Sequence, residues 1–103
     1  MVGAMTFYTI KEAVHRGDRL KLRLADGEHI VEPHVLGRDR RGRTLLRAYH
    51  VRGPRGATPG GAWKVIDVGT VLHAVELGQP FGNPRPGHNP NDPLMSGGII
   101  ESY

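Results

Sequence analysis

The stretch that most restricts the fold is "RLKLRLADGEHI", from Arg19 to Ile30. Leucines at positions 20, 22 and 24 alternate with basic residues, which is the pattern of a β-strand with one buried face. Asp26-Gly27 follows, and this pair strongly favours a two-residue β-hairpin turn because both residues tolerate positive φ. The chain is therefore predicted to build an antiparallel sheet that starts with this hairpin.

The following segments predict further strands. Pro33 cannot donate to a strand ladder, so the returning strand is predicted to have an edge, a bulge or a crossing between sheets at this point. Beyond the turn "GRDRRGR", Thr44–Val51 has apolar residues on both faces and is predicted to be a central strand. Arg52–Gly61 is rich in turn residues and predicts a loop. Ala62–Val68 predicts the fourth strand. Val71–Leu77 fits a short strand or a helical turn, and its two valines and short length favour a fifth strand. Five short strands close most easily as a small barrel.

One short helix is predicted before the strands, at Thr9–His15. Thr9 and Glu12 have the spacing of a capping box, in which each residue bonds the other's backbone N–H. Gly17 stands where such a helix would end. A single short helix is not stable alone, so it is expected to dock on the sheet.

The residues after Gly78 differ in character from the rest. They hold five of the eight prolines and show no periodicity, which predicts an irregular segment. They also contain more apolar side chains than a disordered tail has, namely Phe81, Leu94, Met95, Ile99, Ile100 and Tyr103. We therefore expect residues 1–78 to form the helix and the barrel, and the tail, residues 79–103, to pack on this barrel or on a neighbouring subunit.

The composition argues against several classes of function. The absence of cysteine excludes disulfides and thiol catalysis. The six histidines lack the spacing of a metal site, and His34 and His50 are expected to meet as a structural contact on facing strands. The only serines, Ser96 and Ser102, lie in the tail, and the carboxylates are scattered, so no catalytic residue is predicted.

No cofactor, signal peptide or membrane-spanning segment is predicted, and a cytoplasmic location is expected.

Positive charge is concentrated in one segment. Residues 38–55 contain seven arginines and one aspartate, a net charge of +6, whereas the whole chain carries +4. Charge placed so unevenly either binds an anionic partner or only keeps the surface soluble.

Four stretches together resemble the WYL domain family, in particular its short stand-alone members. They are "IVEPHVLG", "LLRAYHV", "GAWKVIDVGTVLHAVEL" and "PFGNPRPGHNPNDPLM", and the resemblance spans about Ala13 to Met95. It implies a mainly β fold, an SH3-like or Sm-like barrel of the type found in bacterial transcription regulators. It also implies a sensory module for nucleotides or single-stranded nucleic acid. The Trp-Tyr-Leu triplet of the family aligns with Thr44, Leu45 and Leu46, and Asp67 and Thr70 stand where the family has arginines.

The charge pattern and the resemblance together predict a non-catalytic binding module for an anion. Guanidinium groups match the geometry of phosphate oxygens, and an aromatic ring can stack on a base. The candidate ligand-binding residues are Arg38, Arg40, Arg41, Arg43, Arg47 and Arg52, with Tyr49 as the stacking ring. The alternative is a structural module that forms a homo-oligomer through its tail and binds no nucleic acid.

Overall fold

The N-terminal helix is longer than the sequence predicts. The computed structural model describes residues 3–103, except for the side chains of residues 59 and 60, and its helix α1 is Ala4–Arg16. Gly3 occupies the N-cap without a side-chain hydrogen bond, so the predicted capping box at Thr9 is wrong. The helix starts earlier because Phe7 packs against the core. It ends, as predicted, at Gly17, whose φ of 66° suits glycine.

Six antiparallel strands follow α1. They are β1 (Asp18–Leu24), β2 (Gly27–Arg38), β3 (Thr44–Gly53), β4 (Gly56–Asp67), β5 (His73–Pro80) and β6 (Gly98–Ser102), with a 3-10 turn at Val68–Thr70 between β4 and β5. The order in the sheet is β4-β3-β2-β1-β5, and β6 also pairs with β2. The mainly β class and the N-terminal helix are confirmed.

The returning strand changes partner at Pro33. Residues 27–31 of β2 pair with β1, whereas residues 35–38 pair with β6 along the same edge. The pairing of β2 with β3 shifts register between Pro33 and Val35. A residue without a backbone N–H therefore stands where the ladder is broken, as the sequence predicts.

Two parts of the strand prediction are wrong. Residues 52–61, predicted as a loop, form a hairpin in which Gly53 pairs with Gly56 and β4 begins at Gly56. The tail contributes β6, which has no periodic signal in the sequence. Among the described residues no ladder joins β4 to β5, so the sheet is an open path and the closed five-stranded barrel is not found.

The core lies on two faces of this sheet. The larger cluster joins the apolar stripe of α1 to one face, and its main members are Ile10, Val14, Leu20, Leu22, Val31, Leu36, Leu46 and Val68. On the other face Val35 and Leu45 pack against Met95 from the tail. Because β3 contributes to both clusters and lies between β2 and β4, its prediction as a central strand is confirmed.

The tail packs on its own chain. Met95 is only 3% exposed, and the backbone N–H of Tyr103 donates to the carbonyl of His34 at 2.8 Å. These contacts hold the tail against the sheet of the same chain. Within the described part of the chain, no helix has the length and apolar character needed to cross a membrane.

Candidate anion-binding site

The arginine turn, residues 38–43, is organised by a buried aspartate. The Asp39 carboxylate accepts the backbone N–H groups of Arg41 and Arg43 at 2.9 and 3.0 Å, and the Nε of Arg43 at 2.9 Å. Burial raises the pKa of Asp39, but the hydrogen bonds, led by that from the Arg43 backbone, outweigh it and the pKa is lowered. Asp39 therefore stays ionised and fixes the shape of the turn.

All four arginines of this turn are exposed to solvent. They are Arg38, Arg40, Arg41 and Arg43, of which Arg43 bonds Asp39. The single negative charge of Asp39 offsets one of the four positive charges of residues 38–43. The turn therefore presents a net charge of +3 on one rim of the sheet.

The tail forms the second wall of a groove beside this turn. The backbone N–H of Gly97 donates to the carbonyl of Arg38 at 2.8 Å, which holds the tail against the turn. A cavity of about 320 Å³ lies between them. It is lined by Asp39, Arg40, Arg41, Arg43, Pro93, Leu94 and Ser96. This groove has the basic lining and the concave shape that an anionic ligand requires.

Arg47 lies next to the groove but is already paired. Its Nε donates to Oδ2 of Asp92 at 2.8 Å and its terminal nitrogen to Oδ1 at 3.3 Å. Asp92 is buried, and the hydrogen bond from Arg47 lowers its pKa. A neighbouring cavity of about 310 Å³, with Trp63 and His88 in its wall, shares Pro93 with the groove. Arg47 therefore anchors the tail that forms the groove.

The ring of Tyr49, the predicted stacking residue, is in contact with two other side chains. The guanidinium carbon of Arg85 lies 4.7 Å from the centre of its ring, and Trp63 meets it edge-on at 5.4 Å. Trp63 in turn donates its indole N–H to the carbonyl of Pro86 at 3.0 Å. Both aromatic rings thus hold the tail against the sheet.

Arg52 lies at the far end of β3 from the arginine turn. It stands opposite Ile30 in the ladder and lines a different cavity with Lys21 and Glu28. Eight strand positions separate it from Thr44, which is roughly 25 Å. The structure thus brings together the four arginines of the turn, places Arg47 beside them, and separates Arg52 from the set.

A buried ionic cluster, which no local sequence pattern predicts, lies beside β2. The Glu32 side chain is fully buried and accepts hydrogen bonds from Arg19 and Arg85, and His34 beside it accepts the backbone N–H of Arg85 at 3.1 Å. Burial lowers the pKa of His34, so this ring is neutral. The predicted contact between His34 and His50 is wrong, because Nε2 of His50 bonds His29 instead. Only the presence of a carboxylate between apolar strand residues could have signalled the cluster.

A comparison with known proteins found no relative of this chain: no family model, no curated protein and no solved structure matches it. In the described residues no group of three or more histidine, aspartate or glutamate side chains could hold a metal ion. The resemblance to the WYL family thus stays a prediction.

Proposed function

We propose that this protein is a non-catalytic module that binds single-stranded nucleic acid through phosphate groups held in the groove of the arginine turn. The observation that carries the proposal is the groove lined by Arg40, Arg41 and Arg43 on one side and by the tail on the other, with the exposed Arg38 at the start of the same turn. Planar guanidinium donors suit phosphate oxygens, and a rigid turn presents them without a large loss of conformational entropy.

We also propose that the fold of this protein is a WYL-type, SH3-like barrel. Its support is the strand order, in which a meander of four strands is extended by β5 beside β1. A sheet whose last long strand returns to pair with the first has the strand neighbours of a small, partly open barrel.

The state of Tyr49 determines what kind of binding we expect. Because Arg85 covers one face of the ring, base stacking contributes little, and phosphate contacts supply most of the affinity. Binding should therefore depend steeply on salt and only weakly on sequence.

The oligomerisation alternative has less support. The tail residues that would have to dock on a second copy already pack within this chain, with Met95 and Asp92 buried against the sheet. Leu94 and Ile99 remain 41% exposed each, too few large apolar side chains for a stable dimer interface.

Replacing Arg40 and Arg41 together with alanine should weaken binding of a fluorescein-labelled oligouridine about tenfold, or about 1.4 kcal/mol. The slope of log affinity against log salt should become shallower by about 0.7 for each lost phosphate contact. Fluorescence anisotropy between about 50 and 200 mM salt measures both quantities.

The matched control is Arg52→Ala, which removes an exposed arginine at the opposite end of β3. Its affinity should stay within about twofold of the unaltered protein, since binding at the turn lies beyond the Debye length from it. Equal losses in both variants would indicate a diffuse effect of net charge, and no binding at low salt would remove the proposal.

A further inference from the structure

A second cavity lies at the end of the sheet opposite the arginine turn. Its volume is about 560 Å³, and two hairpin turns form its walls. The β1–β2 hairpin contributes Asp26 and His29, and the β3–β4 hairpin contributes residues 53–58, with His50 between them. The proposed nucleic-acid groove uses none of these residues.

Four side chains of this cavity form one continuous hydrogen-bonded chain. Asp26 Oδ1 lies 2.7 Å from Nε2 of His29. Nδ1 of His29 lies 2.9 Å from Nε2 of His50, and Nδ1 of His50 lies 2.6 Å from Oγ1 of Thr58. Every nitrogen of both rings is thus engaged in the chain.

When both rings are neutral, the carboxylate at one end sets the direction of every bond in this chain. The ionised Asp26 carboxylate only accepts, so Nε2 of His29 carries the hydrogen. With His29 neutral, its Nδ1 accepts, and His50 must donate from Nε2. Nδ1 of a neutral His50 is then an acceptor, so the Thr58 hydroxyl donates its hydrogen to His50. The oxygen of Thr58 keeps its lone pairs for another partner.

The charge state of His50 agrees with this direction. Burial is the main cause that lowers its pKa. A positive charge on His29, when that ring is protonated, and the charge of Lys64 lower it further, whereas Asp26 raises it. The hydrogen bond from His29 is the main cause that lowers the pKa of Asp26, with a smaller contribution from Arg55. At neutral pH the carboxylate is therefore ionised and His50 is free to accept a proton.

We propose that Thr58 is an activated hydroxyl that takes up an acyl group from an activated ester or acyl phosphate in this cavity. A hydroxyl whose proton is held by a histidine, with that histidine oriented by further groups ending in a carboxylate, is the arrangement that makes serine and threonine nucleophilic. Arg55 in the cavity wall supplies a positive charge for the oxyanion or for an anionic leaving group.

The step conserves atoms and charge. Oγ1 of Thr58 forms a bond to the carbonyl carbon of the donor while its proton moves to Nδ1 of His50. The tetrahedral oxyanion then collapses, the bond to the leaving oxygen breaks, and that oxygen takes the proton from His50. The products are an ester on Thr58 and a free alcohol, phenol or phosphate, so no oxidant or further reactant is needed.

Incubation with p-nitrophenyl acetate tests the proposal. We expect release of one equivalent of p-nitrophenolate and a mass increase of one acetyl group, mapped by peptide mass spectrometry to Thr58. Thr58→Val should abolish this label, and Thr58→Ser should retain it, which separates loss of the hydroxyl from loss of the fold. His50→Gln should slow labelling about 100-fold or more. Asp26→Ala should slow it about tenfold, less than in hydrolase triads because Asp26 is exposed.

Two controls complete the experiment. Thr70→Val removes an exposed hydroxyl that donates to the carbonyl of Asp67 and should leave labelling unchanged. The Arg40→Ala, Arg41→Ala double variant should also be acetylated at Thr58 at the normal rate. The acylation of Thr58 and the proposed nucleic-acid binding can therefore fail independently of each other. The labelling rate should rise with pH and level off as His50 loses its proton, with a midpoint below the ordinary histidine value of 6.5. Label on lysines only, or equal rates in the His50→Gln and unaltered proteins, would overturn the proposal.

Discussion

Replacing Glu32 with alanine should lower the free energy of unfolding by about 3 kcal/mol. The carboxylate is fully buried and accepts Nε of Arg85 at 2.6 Å, a terminal nitrogen of Arg85 at 3.1 Å and Nε of Arg19 at 3.1 Å. Its removal leaves two guanidinium groups without their acceptor. Their side chains are 33% and 41% exposed, so water reaches them and the cost stays at the low end of the range for a broken buried ion pair.

The matched control is Glu28→Ala on the same strand. Glu28 is 54% exposed and lies 3.9 Å from Lys21, so its loss should cost less than about 0.5 kcal/mol. Urea denaturation of both variants measures the difference. A Glu32→Ala variant as stable as Glu28→Ala would show that the buried cluster contributes no net stability.

The contribution of Glu32 should also depend on pH. Burial raises the pKa of Glu32, but the hydrogen bonds from Arg85 and Arg19 outweigh it and the pKa is lowered from its ordinary value of 4.5. A carboxyl with a lowered pKa in the folded state stabilises the protein above 4.5, and this stabilisation is lost as the pH falls through the folded value. The gap in stability between the unaltered protein and Glu32→Ala should therefore be constant near neutral pH and narrow in acid.

Local signals in the sequence predicted the first half of the sheet well. The alternation of leucines and the Asp26-Gly27 pair give β1, β2 and a hairpin in which Leu24 pairs with Gly27. The break at Pro33 and the two apolar faces of β3 were also visible, because each depends on residues within one strand. Hairpins and strand faces are local properties, so a single sequence contains them.

Contacts between distant parts of the chain were not predictable. Glu32 lies between Val31 and Pro33, and period two alone places it on the solvent side of β2. It is buried because Arg85, 53 positions later, closes over it. Arg47, a predicted ligand contact, likewise pairs with Asp92, 45 positions away, and this pair holds the tail against the sheet. No periodicity links residues so far apart, and the register shifts in β2 hide which histidines face each other.

A chain that ends at Gly78 should lose its cooperative unfolding transition. The deletion removes β6, Arg85, Asp92 and Met95 together, so it uncovers the smaller core and leaves Glu32 with Arg19 alone. A small domain has little stability to spare, and these losses exceed it. Far-ultraviolet circular dichroism during heating, with size-exclusion chromatography, measures the effect.

Substitution of two neighbouring tail residues in the full chain measures how much the packing of the tail contributes to stability. Met95 is 3% exposed and Leu94 is 41% exposed. Met95→Ala should cost about 2–3 kcal/mol through the cavity it leaves between Val35 and Leu45, whereas Leu94→Ala should cost less than about 1 kcal/mol. If residues 1–78 instead unfold sharply as a monomer while the full chain is a dimer, the tail serves to join subunits. The tail supplies the buried partner of Arg47 and one wall of the arginine groove. A truncated chain that still folds stably would show that these tail contacts are not needed to hold the fold.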